Sequence, residues 1–279
     1  IYVPGIGRVV TTCDVLFEEA HFPCRKRGER LDDNVGAPPQ PPQLDTEQPP
    51  GVPDALTGRA TVASSIVAEF DRLTAPLRAA APTSRKALIL FSGPYQRPDG
   101  FAAFLRARGI DADVMDSAAD GGETSDDILV DTYFTTLLER IRSGHYFAVF
   151  AAPPCSTYSV ARFYTPADGK PGPPVVRDRQ HILGIADVPR GHRRELNRAN
   201  EITRRTCVLL SAAWRAGAEI ALENPVDRGD PDKPALFRVA EHGPIWLDPH
   251  MKELHKLTSA NTATFSQCMF GAATQKYST

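Results

Sequence analysis

The stretch Ala148-Val-Phe-Ala-Ala-Pro-Pro-Cys155-Ser-Thr-Tyr158 decides the fold of this chain. An apolar run closed by Pro153 and Pro154 reads as a central parallel strand that cannot continue, because proline lacks the ladder donor and fixes its own φ. The prolines leave Cys155 at the carboxyl end of that strand, the edge at which open α/β sheets bind ligands and carry chemistry. Two further strand ends, Leu90-Phe-Ser-Gly93 and Ala221-Leu-Glu-Asn-Pro225, read as the remaining walls of the same crevice.

Working outward, the pattern is β-α-β-α-β with short links, which implies parallel strands joined by right-handed crossovers and a doubly wound α/β sheet. Lys86–Phe91 reads as the first strand and Asp99–Arg108 as a helix with Phe101, Phe104 and Leu105 on one face, stopped by Gly109. Ile110–Asp116 is a second strand with an acid at its end, Asp131–Arg142 the next helix, and His145–Ala152 the strand before Cys155. Glu195–Ala216 is a long helix with Ile202, Leu209, Leu210 and Trp214 as its buried side; Gly217 caps it, and Glu219–Leu222 follows as another buried strand. Thr262–Phe265 reads as a short strand, and Val62, Ile66, Phe70, Leu73 and Leu77 recur at helical spacing ahead of the sheet. Between these elements, Phe163–Arg190 is long, rich in Pro and Gly, and carries Arg177, Arg179, His181 and Arg190. Such loops are usually lids or binding loops.

The expected organisation is a β segment over 1–24, a disordered linker over 25–59 and an α/β domain over 60–279. The linker holds seven prolines between Pro38 and Pro53, with too little apolar surface to offset ordering entropy. The first residues alternate around Pro4-Gly5 as a hairpin does. With 279 residues and 42% hydrophobic composition the chain can bury one full-sized core. A net charge of -2 means that any nucleic-acid partner must meet a local basic surface. No apolar run approaches the roughly 20 residues that span a bilayer, and no signal-peptide pattern opens the chain, so an intracellular protein is expected. Five cysteines (Cys13, Cys24, Cys155, Cys207, Cys268) without CxxC pairing argue against a disulfide framework and against a metal site. A start at Ile1 and a stop at Thr279 inside what reads as an element suggest a fragment.

Each strand end has its own chemistry. Gly93 and Gly100 flank a turn where backbone can approach a ligand, and Asp116 is placed to bind a ribose hydroxyl pair. Asp127 and Ile128 offer a carboxylate for an adenine amine and an apolar wall for its ring, with helix N-capping as the plainer role for both acids. Cys155, pushed out of its strand and followed by a helix start, is set up as a thiolate, with Arg162 nearby; Cys207 inside its helix reads as a small buried hydrophobe. Glu223 closes an apolar strand, where desolvation favours a held proton. A thiolate, a protonated acid and a nucleoside-type cofactor in one crevice suit methyl transfer to an unactivated pyrimidine carbon, on a base drawn out of the helix stack.

From Lys86 to Lys276 the chain resembles the cytosine-5 DNA methyltransferase family. The carrying residues are Phe91-Ser92-Gly93 for the cofactor turn, Pro154-Cys155 for the nucleophile and Glu223-Asn224 for the acid. The resemblance implies a Rossmann-like class I methyltransferase fold, truncated at its C-terminus, that binds S-adenosyl-L-methionine. It implies Cys155 and Glu223 as catalytic, and Phe91, Ser92, Gly93, Asp116, Asp127, Ile128 and Pro153 as cofactor-binding. Arg162, Arg177, Asn224, Gln275 and Lys276 would meet DNA. Tyr95-Gln96 replaces the family's second glycine, Ser156 stands where glutamine is usual and Pro225 where valine is usual.

The start, Val9-Val10-Thr-Thr-Cys13-Asp14-Val15-Leu-Phe17-Glu18-Glu19, resembles the tail of the SH3-like segment after the integrase core of Copia-type retrotransposon polyproteins, with Cys13 where arginine is usual. Together the two resemblances imply a DNA methyltransferase-like piece of a polyprotein, nuclear if it acts on host DNA, with other polyprotein segments as partners. An amino-methyltransferase using Ala152-Pro153-Pro154, and a catalytically degenerate nucleic-acid-binding module, are the alternatives.

Overall fold

The computed structural model describes residues 2–3, 8–9, 65–69, 71–72, 85–91, 100–116, 127–164, 172–266 and 277–279. Four parallel strands form the central sheet: β1 (Lys86–Leu90), β2 (Asp111–Met115), β3 (Ala148–Ala151) and β4 (Glu219–Leu222). Their spatial order is β2-β1-β3-β4. The helices are α1 (Phe101–Arg106), α2 (Asp131–Arg142), α3 (Arg190–Arg215) and α4 (Pro249–Thr258). This is the α/β, all-parallel arrangement that the sequence implies. A two-residue antiparallel pair, Tyr2–Val3 with Arg8–Val9, answers to the expected N-terminal hairpin; residues 10–59 lie outside the described residues.

The central strands form because both of their faces are covered. Leu88, Leu90, Val149 and Ala151 point toward α2, α3 and α4 and join one apolar cluster with Leu137, Ile141, Leu209 and Leu210. Ala87, Ile89 and Ala112 point the other way, against Ala102 and Leu105 of α1. On that second face Phe101 meets Phe150 edge to face, with ring centroids 4.7 Å apart.

The helix α1 is shorter than its apolar spacing suggests. Phe101 and Phe104 are exposed, and only Ala102 and Leu105 are buried. Helix α3 begins at Arg190 rather than Glu195, and its 26 residues span about 39 Å. Every residue from Thr206 to Ala213 is buried, whereas Trp214, expected in the core, is exposed. The hydroxyls of Thr203, Thr206 and Ser211 donate to carbonyls one turn back, which satisfies polar atoms that the burial would otherwise strand.

Strand β4 is a correction to the sequence reading. It is the outer strand of the four, with Glu219 and Ala221 exposed and Ile220 and Leu222 half-buried. An apolar tetrapeptide looks the same in the middle of a sheet as on its border, because its position is set by chain topology. The expected strand Thr262–Phe265 is instead Phe265–Ser266, paired antiparallel with Tyr277–Ser278.

A charge cluster ties α3 to its neighbours. Glu201 accepts from Arg204 and Arg205, Arg204 also meets Glu69, and Arg205 also meets Asp131 and the Ile128 carbonyl. The hydrogen bond from Arg204 chiefly, with that from Arg205, outweighs desolvation and pulls Glu201 from 4.5 to about 2. A depressed carboxyl stabilises above its unfolded pKa, and the benefit fades as pH falls through the folded one. Glu201→Gln is therefore expected to cost about 1 kcal/mol at neutral pH, the partial exposure of the pair screening it. It should also flatten the acid limb between pH 4.5 and about 2, as read by urea unfolding at stepped pH. An unchanged acid limb would contradict the assignment.

Candidate active site at the carboxyl edge of the sheet

Strand register assembles the site. Leu90 pairs with both Met115 and Ala151, and Ala151 pairs with Leu222, so the four strands end flush. The next residues, Asp116, Phe91, Ala152 and Glu223, consequently stand in one row. Three backbone bonds carry the ladder into that row: Phe91 N–H to the Met115 carbonyl at 2.8 Å, Ala152 to Leu90 at 3.2 Å, and Glu223 to Ala151 at 2.9 Å. The chain leaves β1 toward β2 on one side and returns to β3 on the other. The carboxyl ends of β1 and β3 thus flank the point where strand order reverses, which is where such sheets bind ligands.

At that point Phe91 has φ of 64°. A bulky side chain in the left-handed region costs on the order of 1–2 kcal/mol and marks a turn held by its surroundings. Asp116 directly follows β2 and is 4% exposed. Ser92 and Gly93 lie outside the described residues, as do Gln275 and Lys276.

Beyond β3, Pro153 is buried and Cys155 is half-buried with a free thiol. A single 3-10 turn, Ser156–Tyr158, follows the cysteine in place of an α-helix, closed by the Tyr158 N–H on the Cys155 carbonyl at 2.9 Å. Asn224, 2% exposed, donates from Nδ2 to the Pro153 carbonyl at 2.9 Å. This bond and the Glu223–Ala151 bond fasten the segment carrying the thiol to the segment carrying the acid.

The turn after Cys155 rests on a polar floor. Arg162 donates from Nε to the Ser156 carbonyl at 2.7 Å and from Nη1 to the Pro174 carbonyl at 2.9 Å, and it pairs with Glu195. Glu195 also faces His192 Nδ1 at 3.1 Å and accepts from Ser156 Oγ at 3.4 Å. Burial works against ionisation of Glu195, but the hydrogen bond from His192 and the charges of Arg162 and His192 prevail and hold its carboxyl below the usual range. Arg177 is 2% exposed; it stacks 3.7 Å from the Tyr158 ring centroid and donates to Thr157 Oγ1, Asn200 Oδ1 and the Ile182 carbonyl. The Tyr158 hydroxyl meets Thr203 Oγ1 at 3.0 Å and Asp248 Oδ2 at 3.4 Å, and burial pushes its pKa upward. His242, 1% exposed, meets the Tyr158 carbonyl through Nε2 at 2.9 Å, and its Nδ1 lies 3.0 Å from the Arg228 N and 3.6 Å from Asp227 Oδ1.

Several expected roles change on this geometry. Arg162 and Arg177 are buried braces bonded to protein acceptors, Arg177 through both Nη atoms while its Nε has none among the described residues, so neither lies on the surface that DNA would meet. The segment around Arg177 is packed rather than lid-like: Val176, Val188 and Leu196 form an apolar cluster with Ile185. Ile128 is 3% exposed within the main core. The Asp127 carboxylate accepts from the Leu129 N–H at 2.9 Å and faces Arg198 at 3.3 Å, the capping and pairing role. Glu223 is half-buried, and it borders a cavity of about 290 Å³ whose other walls include Leu210, Trp246, Met251 and Leu254 but not Cys155. The row at the strand ends thus holds Phe91, Asp116, Ala152 and Glu223, with Pro153 and Asn224 bonded to one another just beyond it and Cys155 two residues further along, on none of the walls of the Glu223 cavity.

No protein-family model, curated protein or solved structure matches the chain. Among the described residues no helix is long and apolar enough to cross a membrane, and no group of three or more His, Cys, Asp or Glu is placed to hold a metal. Sequence reading missed Glu195, His192 and His242. The first two stand three apart on a helix start that lacks apolar period, and a lone histidine in Glu241-His-Gly243 gives no signal at all.

Proposed function

We propose that this chain is an S-adenosyl-L-methionine-dependent DNA cytosine-5 methyltransferase-like domain, with Cys155 as nucleophile and Glu223 as acid. The observation that carries the reading is the clamp of Asn224 on the Pro153 carbonyl, which joins the thiol and carboxyl segments side by side at the carboxyl edge. The cofactor's place is supported by the order reversal between β1 and β3, the left-handed Phe91 and the acid Asp116 at the end of β2. Phe91 and Asp116 would hold it, and when bound it supplies an electrophilic methyl group to C5 of the pyrimidine.

The protein's own part is proton and electron-pair management. The Cys155 thiolate forms a bond to C6 of an extruded cytosine while Glu223 gives its proton to N3, so that the electron pair released across the ring makes C5 nucleophilic. After C5 has accepted the methyl group, transfer of the C5 proton to a water molecule and departure of the thiolate restore the aromatic ring, and N3 returns its proton to Glu223. The buried braces under Ser156–Tyr158 hold the sulfur in place while this occurs. The context within a Copia-type polyprotein belongs to the same proposal and rests on residues 9–19 of the sequence.

A duplex carrying 5-fluoro-2′-deoxycytidine, incubated with the chain and S-adenosyl-L-methionine, is expected to give a covalent adduct visible as a mass shift. Cys155→Ser should abolish it, and Glu223→Gln should slow it by about 10²–10⁴-fold, the usual worth of a positioned acid. An adduct that persists in Cys155→Ser, or titration calorimetry without S-adenosyl-L-methionine binding, overturns the proposal.

A further inference from the structure

With Arg162 and Arg177 buried, the question is which exposed cations beside the thiol meet a polyanion. We infer that Arg190 and Arg194, on consecutive turns of α3, form the contact surface for the phosphate backbone of the nucleic acid whose base enters the site. The inference rests on the cytosine-methylation reading only for the identity of that base.

The first observation is an electrostatic arrangement that the isolated fold does not favour. Helix α3 opens with Arg190, Arg193 and Arg194 in its first turns, has no acid in its first turn, and has Pro189 at its N-cap without a side-chain cap. Cations at this end oppose the helix macrodipole, and like charges four residues apart repel. The repulsion is not relieved within the described residues: Arg190 and Arg194 are both exposed and make no ion pair, while the neighbouring Glu195 carboxylate is taken by Arg162 and His192. Arg193 instead ties down the Ala186 and Val188 carbonyls, at 3.3 Å each. Arg198 continues the stripe at the next turn but is paired with Asp127.

The second observation is placement. Ser156, the residue after the thiol, reaches Glu195 Oε1 at 3.4 Å, so the turn of α3 that carries Arg194 abuts the turn that carries Cys155. Arg190 lies about 6 Å further along the helix axis. Two exposed guanidinium groups without an ion pair among the described residues, in line on the turns of α3 next to the one that touches Ser156, suit successive phosphates of one strand better than a single small anion. Phosphates flanking an extruded base must pass close to the residue that attacks it.

The test measures binding of a labelled 20-base-pair duplex to the full chain between 50 and 200 mM NaCl, for the parent and for R190A/R194A. Each lost phosphate contact should lower the slope of log affinity against log salt by about 0.9, so the double variant should lose about 1.8 of slope and on the order of 100-fold affinity at 50 mM salt. S-adenosyl-L-methionine binding should be unchanged. The same loss on an RNA duplex of equal sequence assigns the same contacts to RNA phosphates. Failure of the parent chain to bind S-adenosyl-L-methionine, with the slope still reduced, removes the methylation reading and keeps the surface. An unaltered slope in R190A/R194A, or no duplex binding by the parent at 50 mM salt, overturns the inference.

Discussion

Arg177→Ala is expected to lower the unfolding free energy by about 3–5 kcal/mol, the range for breaking a buried hydrogen-bonded charge site. The guanidinium is almost wholly enclosed, lies flat on Tyr158 and supplies hydrogen atoms to three acceptors from separate segments: Thr157, Ile182 and Asn200. Truncation removes the stacking, opens a cavity and strands those acceptors at once. Desolvation pulls the Arg177 pKa downward, which is the sign of a cation kept inside by hydrogen bonds rather than by a touching carboxylate. Arg177→Lys should recover little, because one ammonium cannot lie flat on Tyr158 and reach acceptors in three segments at once. Because Thr157 and Tyr158 follow directly on Cys155, the thiol of the alanine variant should also be alkylated faster by iodoacetamide. Urea unfolding that shows a loss under 1 kcal/mol would refute the bracing role.

Asn224→Asp should be the second most damaging change, and its damage should depend on pH. The amide donates to the Pro153 carbonyl, and its own Oδ1 is already buried without a partner among the described residues. A carboxylate there sets acceptor against acceptor in a site closed to water, at a cost of about 3 kcal/mol at pH 7. The folded-state pKa of the new acid is raised, so its penalty is absent below the unfolded value of about 3.9 and grows as pH rises above it. Protonated, the acid can donate to the Pro153 carbonyl as the amide does. Asn224→Ala removes one bond and should cost about 1–2 kcal/mol at every pH. Melting curves from pH 4 to 8 should therefore cross, the aspartate variant being the more stable in acid and the less stable at neutrality. Parallel curves would show that Asn224 does not clamp the two segments.

Much of the sheet was legible because period and punctuation agree. Val149 and its neighbours are apolar on both faces, and two prolines end the run one residue after the strand does. Helix α2 shows Phe134, Leu137, Leu138 and Ile141 at helical spacing, and these are its buried residues. Helix α3 starts earlier than its pattern because Arg190–Arg194 contains no apolar residue, so periodicity is silent until Leu196. The border position of β4 was hidden, since Glu219-Ile-Ala-Leu222 carries no information about what lies beside it. In the site, Cys155 and Glu223 stand at strand ends as their sequence context implies, with Asn224 linking them. Arg162 and Arg177 were misread for one physical reason. A charged side chain is normally solvated, and only a set of acceptors gathered from distant segments can bring it inside.

The border position of β4 bears on how copies of the chain meet one another. Among the described residues no fifth strand pairs with its outer side, and the segment starts with the exposed Glu219. A second copy adding itself alongside in the parallel sense sets Glu219 against Glu219. That docking crowds two exposed carboxylates together, so the rim repels its own kind and lateral stacking into larger sheets is disfavoured.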